Sequence, residues 1–175
     1  MGGRMREGFA PSERGNVARV LALLVGLGYV AAGVIGFTVT GFTGFVANTD
    51  ETFLGFFDLN IFHNIVHLSI GGALILASRV RDVTITQGVL IGVGLFYLLA
   101  AVLGFLNYLQ IISIDASLSF DNFFHLFTGL VALIFGLIGA RQQSESLDGT
   151  RSSPRPIEER RAAWDTEDTY REEAY

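Results

Sequence analysis

Apolar residues run through this chain in four long, nearly unbroken stretches, roughly 17–39, 59–78, 86–108 and 120–140, separated by short polar or glycine-containing breaks. Each stretch is close to the ~20 residues a helix needs to cross a hydrocarbon core. Strands of a membrane barrel would be shorter, would alternate in polarity and would number at least about eight. The pattern therefore predicts an all-α fold, a bundle of four transmembrane helices over 17–140. A short N-terminal segment, 1–16, precedes the bundle, and a charged tail, 141–175, follows it.

The pattern also repeats. Val25-Gly26-Leu27-x-Tyr29-x-x-Ala32-x-Val34-x-Gly36-Phe37 in the first stretch matches Val93-Gly94-Leu95-x-Tyr97-x-x-Ala100-x-Val102-x-Gly104-Phe105 in the third. Asn64-x-x-His67-Leu68-x-x-Gly71 in the second matches Asn122-x-x-His125-Leu126-x-x-Gly129 in the fourth. The expected architecture is a tandem duplicated helical hairpin, with the halves related by a pseudo-two-fold axis along the membrane normal. Small residues let helix backbones approach closely in lipid. Gly36, Gly71, Gly104 and Gly129 are accordingly assigned to helix packing.

Composition agrees with this class: half of the 175 residues are hydrophobic, and mean hydropathy is +0.46. Cysteine does not occur, which excludes disulfides, thiolate metal sites and a cysteine nucleophile. The placement of arginine is more informative than the net charge of −5. Arg4, Arg6, Arg14 and Arg19 lie at or before the start of the first stretch, Arg79 and Arg81 fill the second loop, and Arg141 begins the tail. The connections 40–58 and 109–119 hold no arginine. The positive-inside rule then places both termini and the Arg79–Arg81 turn in the cytoplasm. A cleaved signal peptide is rejected, because the first stretch is too long for a signal core and its sequence recurs within the chain.

The longer outer connection, 40–58, is rich in phenylalanine, including Phe53, Phe56 and Phe57, as expected of a loop lying against the bundle or the interface. A substrate lid is the alternative. The tail, with Pro154, Pro156 and many charges, lacks the apolar surface to fold alone and is expected to be disordered.

Candidate chemistry concentrates where the second and fourth stretches begin. His63, Asn64 and His67 lie on one, and Asp121, Asn122 and His125 on the other; His63/His67 and Asp121/His125 are each four apart and share a helix face. At about 1.5 Å per residue, His67 falls roughly 10 Å inside a helix that starts at Asn60. Polar groups at that depth should point into the bundle. Equivalence of the halves places His67 near His125 and His63 near Asp121.

Three readings follow. In the structural one, each histidine bonds an asparagine or backbone group of another helix and no cofactor is needed. In the second, His63, His67, His125 and Asp121 bind zinc, iron or copper, or His67 and His125 ligate a haem. In the third, the cluster relays protons or a small solute, although the first and third stretches add little polarity beyond Tyr29, Thr38, Tyr97 and Asn107. Catalysis is not expected, because Ser69 and Thr128 lack a nucleophile context.

The run Asn60-Ile61-Phe62-His63-Asn64-Ile65-Val66-His67-Leu68-Ser69-Ile70-Gly71, followed by Asp121-Asn122-Phe123-Phe124-His125-Leu126, resembles the bacterial four-helix membrane proteins of domain of unknown function family 4383. The resemblance covers roughly 16–140. It implies a multi-pass bacterial plasma-membrane protein and brings no activity, cofactor or substrate. The expectation is an uncharacterised membrane protein with a structural or stress-associated role. Its expected partners are the lipid bilayer but no nucleic acid, with a homo-oligomer and a cytoplasmic partner for the tail left open.

Overall fold

A computed structural model describes residues 16–47 and 52–152. Helix α1 is Val17–Thr40 and α2 is Ile61–Arg79. Helix α3 is Val83–Phe105 and α4 is Phe120–Ser152. Strands β1, Thr52–Phe53, and β2, Phe57–Asp58, pair as a small antiparallel hairpin between α1 and α2. A single 3-10 turn, Gln110–Ile112, lies between α3 and α4. All four helices are long and apolar enough to cross a membrane, and the chain is a multi-pass membrane protein. Their outward side chains are apolar too, Leu24, Val34, Leu95 and Phe127 among them. Such a surface suits a solvent of lipid tails rather than water.

Local chemistry sets the helix ends. The side chains of Asn16, Asn60 and Asp82 accept from the backbone N–H of Ala18, His63 and Thr84 respectively, each satisfying an otherwise orphaned donor in the first turn. The Asp82 cap starts α3 at Val83, three residues before the apolar stretch suggests. That contact with the Thr84 N–H also holds the exposed Asp82 carboxyl below the usual carboxylate range. Backbone with positive φ, 61° at both, closes α1 at Gly41 and follows α3 at Asn107. Helix α4 continues past the expected end at 140 to Ser152. Most of the N-terminal segment and the larger part of the tail, with the disorder expected of it, lie outside the described residues.

Two units divide the chain, Met1–Gln143 and Ser144–Tyr175; the bundle and its site belong to the first. The bundle centre is packed by Ala18 and Ala22 of α1, Leu74 of α2, Leu90 of α3 and Ala132 of α4. Alanine and glycine dominate the crossings. A Cβ placed on Gly26 would sit 2.8 Å from the Gly71 carbonyl oxygen, and one on Gly94 would sit 3.0 Å from the Gly129 carbonyl oxygen. Backbone therefore touches backbone between α1 and α2 and between α3 and α4.

Polar links hold the two ends. Near the N-terminus of α1, Asn16 Nδ2 donates to the Gly139 carbonyl of α4 at 3.0 Å. At the hairpin end the fully buried Asn60 donates to the carbonyls of Ile111 at 3.0 Å and Ala47 at 3.3 Å, joining the two loops at that end. The Phe-rich connection does lie on the bundle, with the Phe57 ring 5.0 Å from Phe120 and 5.3 Å from Phe124.

Candidate functional site

The two motif asparagines pack against glycines of the preceding helix. A methyl group on Gly36 would overlap the Asn64 amide, and one on Gly104 would overlap that of Asn122. Each glycine Cα–H therefore points at the asparagine Oδ1, the weak hydrogen bond that recurs where helices touch. Neither Oδ1 has another partner among the described residues. The Nδ2 groups face the other way, Asn64 donating to Thr40 Oγ1 at 2.9 Å and Asn122 to the carbonyls of Ala116 and Ser117 at 3.0 and 3.1 Å. Each asparagine thus meets the preceding helix with its oxygen, and its amide nitrogen donates to the end of that helix or to the loop that follows it.

His63 and Asp121 converge on one residue of the hairpin. His63 Nδ1 lies 3.0 Å from the Asp58 carbonyl oxygen, and Asp121 Oδ2 accepts the Asp58 N–H at 2.9 Å. A carbonyl only accepts, so this contact uses the tautomer of His63 with its proton on Nδ1. Burial, reinforced by the nearby Asp115 carboxylate, raises the Asp58 carboxyl above its usual range.

Below this clamp, five rings close a circuit. Tyr29 and Tyr97 stack at 5.3 Å between centroids. Tyr29 lies 5.0 Å from His67, and Tyr97 lies 5.3 Å from His125. His63 completes the circle, 4.4 Å from His67 and 6.1 Å from His125. Tyr29, Tyr97 and His125 are only 6%, 2% and 4% exposed. Yet among the described residues the Nδ1 atoms of His67 and His125 have no hydrogen-bond partner, and the hydroxyls of Tyr29 and Tyr97, although close to each other and Tyr29 also to Thr128, meet none in hydrogen-bond geometry. Burying a polar group unpaired costs about 1–3 kcal/mol, so four together call for something that pairs with them.

Cavities lie on both sides of the circuit. One, of about 330 Å³, lies between α1 and α4 under Phe53 and Phe57 of the hairpin, with Tyr29, His67 and His125 in its wall. The other, of about 220 Å³, lies between α2 and α3 near Leu109 and Ile112, with Tyr97, His67 and His125 in its wall. His67 and His125 thus border both.

The sequence-predicted residues are brought together, but in different roles. Asn64 and Asn122 lie against the preceding helix, His63 meets the backbone of the hairpin residue Asp58 rather than another helix, and His67 and His125 do not bond an asparagine through Nδ1. The proposed ligand set of His63, His67, His125 and Asp121 is not assembled. Asp121 turns to the Asp58 backbone, and among the described residues no three His, Asp or Glu side chains are grouped to hold a metal ion. His67 and His125 are joined through His63 and the tyrosines rather than stacked on each other. Sequence reasoning placed too little weight on Tyr29 and Tyr97, although both recur at matched positions.

A family model, Domain of unknown function (DUF4383), matches residues 19–138. No curated protein and no solved structure matches the chain. The match spans all four transmembrane helices and both copies of the histidine motif, and the chain belongs to the DUF4383 family.

Proposed function

We propose that this chain is a non-enzymatic binding protein of the bacterial plasma membrane that holds a small hydrogen-bonding molecule at the Tyr29–Tyr97–His67–His125 circuit. The observation that carries this reading is the set of four buried polar atoms, two from each half of the bundle, that meet no partner in hydrogen-bond geometry among the described residues, on the walls of adjoining cavities. A packing role explains the asparagines and His63, but gains nothing from leaving those four atoms unpaired. The reading requires no metal or haem. Phenol hydroxyls and imidazole nitrogens both donate and accept, so together they suit a neutral polar head.

The matched sequences and the matched Gly–Asn and Gly–Gly contacts support an origin by duplication of one hairpin. Arginine placement supports cytoplasmic termini, which puts the β1–β2 hairpin and the circuit in the outer half of the membrane. Arg19 of α1 reinforces the shared inner side by donating to the Val80 carbonyl at 2.9 Å.

The test is solvent extraction of the purified protein, with mass spectrometry for a stoichiometric small molecule, in wild type and in Tyr29→Phe/Tyr97→Phe. The double variant keeps the rings and removes only the hydroxyls. Retention by wild type and loss by the variant, at equal helicity, is the expected result. No retained molecule in either protein would overturn the reading.

A further inference from the structure

The two cavities are related by the sequence match, and they differ at one telling place. Gly28 stands between Leu27 and Tyr29, where the matched segment has Phe96 between Leu95 and Tyr97. Gly28 lines the larger cavity and Phe96 lines the smaller one. A Cβ on Gly28 would meet nothing within 4 Å, so this glycine is not needed for close packing as Gly26 is. Its effect is to leave space beside Tyr29.

That space faces the lipid. Gly28 is exposed on α1, and Phe127, across the cavity on α4, is 62% exposed. The same two helices are tied near the N-terminus of α1 by the bond from Asn16 to Gly139. The opening is therefore lateral, between α1 and α4 below the hairpin. Its wall is apolar except for Tyr29, His67, Asp121, His125 and Thr128. Among the described residues no arginine lines it, and the one carboxyl there, Asp121, already accepts from Asp58. An anionic headgroup would find no cation to pair with and a carboxyl to oppose it. A volume of about 330 Å³ is at the small end for ligand pockets, enough for a head and a few carbons but not for a diacyl lipid.

We propose that the cavity between α1 and α4 takes the head of a neutral, single-chain lipid from the bilayer, its carbonyl or hydroxyl oxygen meeting Tyr29, His67 and His125 and its chain leaving past Gly28 and Phe127. This inference rests on the circuit being a binding site and adds the ligand class and the route. A quinone with an alkyl chain and a long-chain alcohol both carry this chemistry.

The experiment measures equilibrium binding of decylubiquinone, 1-decanol and decanoate to the full chain in nanodiscs, for wild type, Gly28→Phe and Phe96→Gly. Saturable binding near one per chain is expected for decylubiquinone or 1-decanol, and whichever binds assigns the head as carbonyl or hydroxyl. Gly28→Phe, which fills the space with the ring its counterpart carries, should weaken that binding about tenfold or more. Phe96→Gly should leave it intact. Decanoate binding as tightly as the neutral probes overturns the neutral head, and undiminished binding by Gly28→Phe overturns the location. If neither neutral probe binds while extraction still recovers a small molecule lost in Tyr29→Phe/Tyr97→Phe, the lipid inference fails and the binding reading stands.

Discussion

His63 and Asp121, 58 residues apart in sequence, satisfy the two backbone groups of a single residue, the Nδ1–H of one meeting the Asp58 carbonyl and the Oδ2 of the other its N–H. They occupy matched positions one residue before Asn64 and Asn122. This is where the copies of the motif differ in polarity, and the reason is directional: one side must donate and the other must accept. Two histidines or two aspartates could not fill both roles as well. The clamp fixes β2 over the mouth of the larger cavity.

Breaking the clamp should free the hairpin without unfolding the bundle. In His63→Leu the Asp58 carbonyl loses its donor, and in Asp121→Leu the N–H loses its acceptor, each at a cost of about 1–3 kcal/mol in a partly buried site. Asp121→Asn should be much milder, because an amide oxygen can still accept. Limited proteolysis between β1 and β2 provides the measurement, with faster cleavage expected for both leucine variants and near-normal cleavage for Asp121→Asn. Equal cleavage in all four proteins would show that the clamp does not hold the hairpin.

The hairpin should also loosen as pH rises. Folding raises the Asp58 carboxyl above its usual range, mainly by burial and then through Asp115, so the folded state holds that proton more tightly than the unfolded chain does. The penalty is absent below the ordinary carboxylate pKa and grows as pH rises from there through the raised value. Asp115, Asp121 and His63 also face this residue, so the variant Asp58→Asn is needed to isolate its share. Hydrogen-exchange protection of residues 52–58, corrected for intrinsic rates, should fall from acid to neutral pH in wild type. It should fall less in Asp58→Asn.

The Asn–Gly locks predict a coupled pair. Gly36→Ala forces the Asn64 amide off Thr40, and overpacking of this kind costs about 1–3 kcal/mol. Asn64→Ala removes the amide and gives up the same contacts, so the double variant should be less destabilised than the sum of the two changes. Thermal unfolding in detergent measures all three, and the same non-additivity is expected for Gly104→Ala with Asn122→Ala. Strict additivity in either cycle would mean that the side chains do not meet.

Much of this architecture could be read in the sequence because membrane burial writes itself as length and polarity. Four apolar stretches gave four helices, and the matched Gly and Asn positions marked contacts that the helices do make. The boundaries were harder. Asp82 is charged and falls outside the apolar window, yet as a cap it begins α3 early, while the arginine and glutamines after Ala140 hide a helix that runs to Ser152. The site was legible as a list and not as an arrangement. Spacing put His63 and Asp121 on inward faces but could not show that both turn toward a loop residue. The stacking of Tyr29 on Tyr97 depends on the approach of α1 to α3, which no local pattern encodes. Gly28 was invisible as a functional position because 21 glycines populate the chain, and those at the helix crossings have a packing use of their own.

The glycines of the two crossings should therefore be separable from Gly28 by what surrounds them. A Cβ on Gly71 would lie 2.7 Å from the Gly26 carbonyl oxygen and 2.8 Å from the Val30 nitrogen. These are backbone atoms of a packed helix, so no side-chain rotation relieves the overlap and α1 must move from α2. Gly36→Ala, by contrast, presses only on an amide that can swing away. Gly28→Ala meets nothing and also removes a helix-interior glycine, which favours the helix by roughly 0.5–1 kcal/mol. The order expected in thermal unfolding is Gly28→Ala at or above wild type, Gly36→Ala below it, and Gly71→Ala lowest. Because Gly71→Ala acts by separating backbones, shortening a neighbouring side chain such as Val30→Ala should restore little. Substantial rescue by that second change would place the contact at side chains instead and remove the backbone crossing as the reason for glycine in the motif.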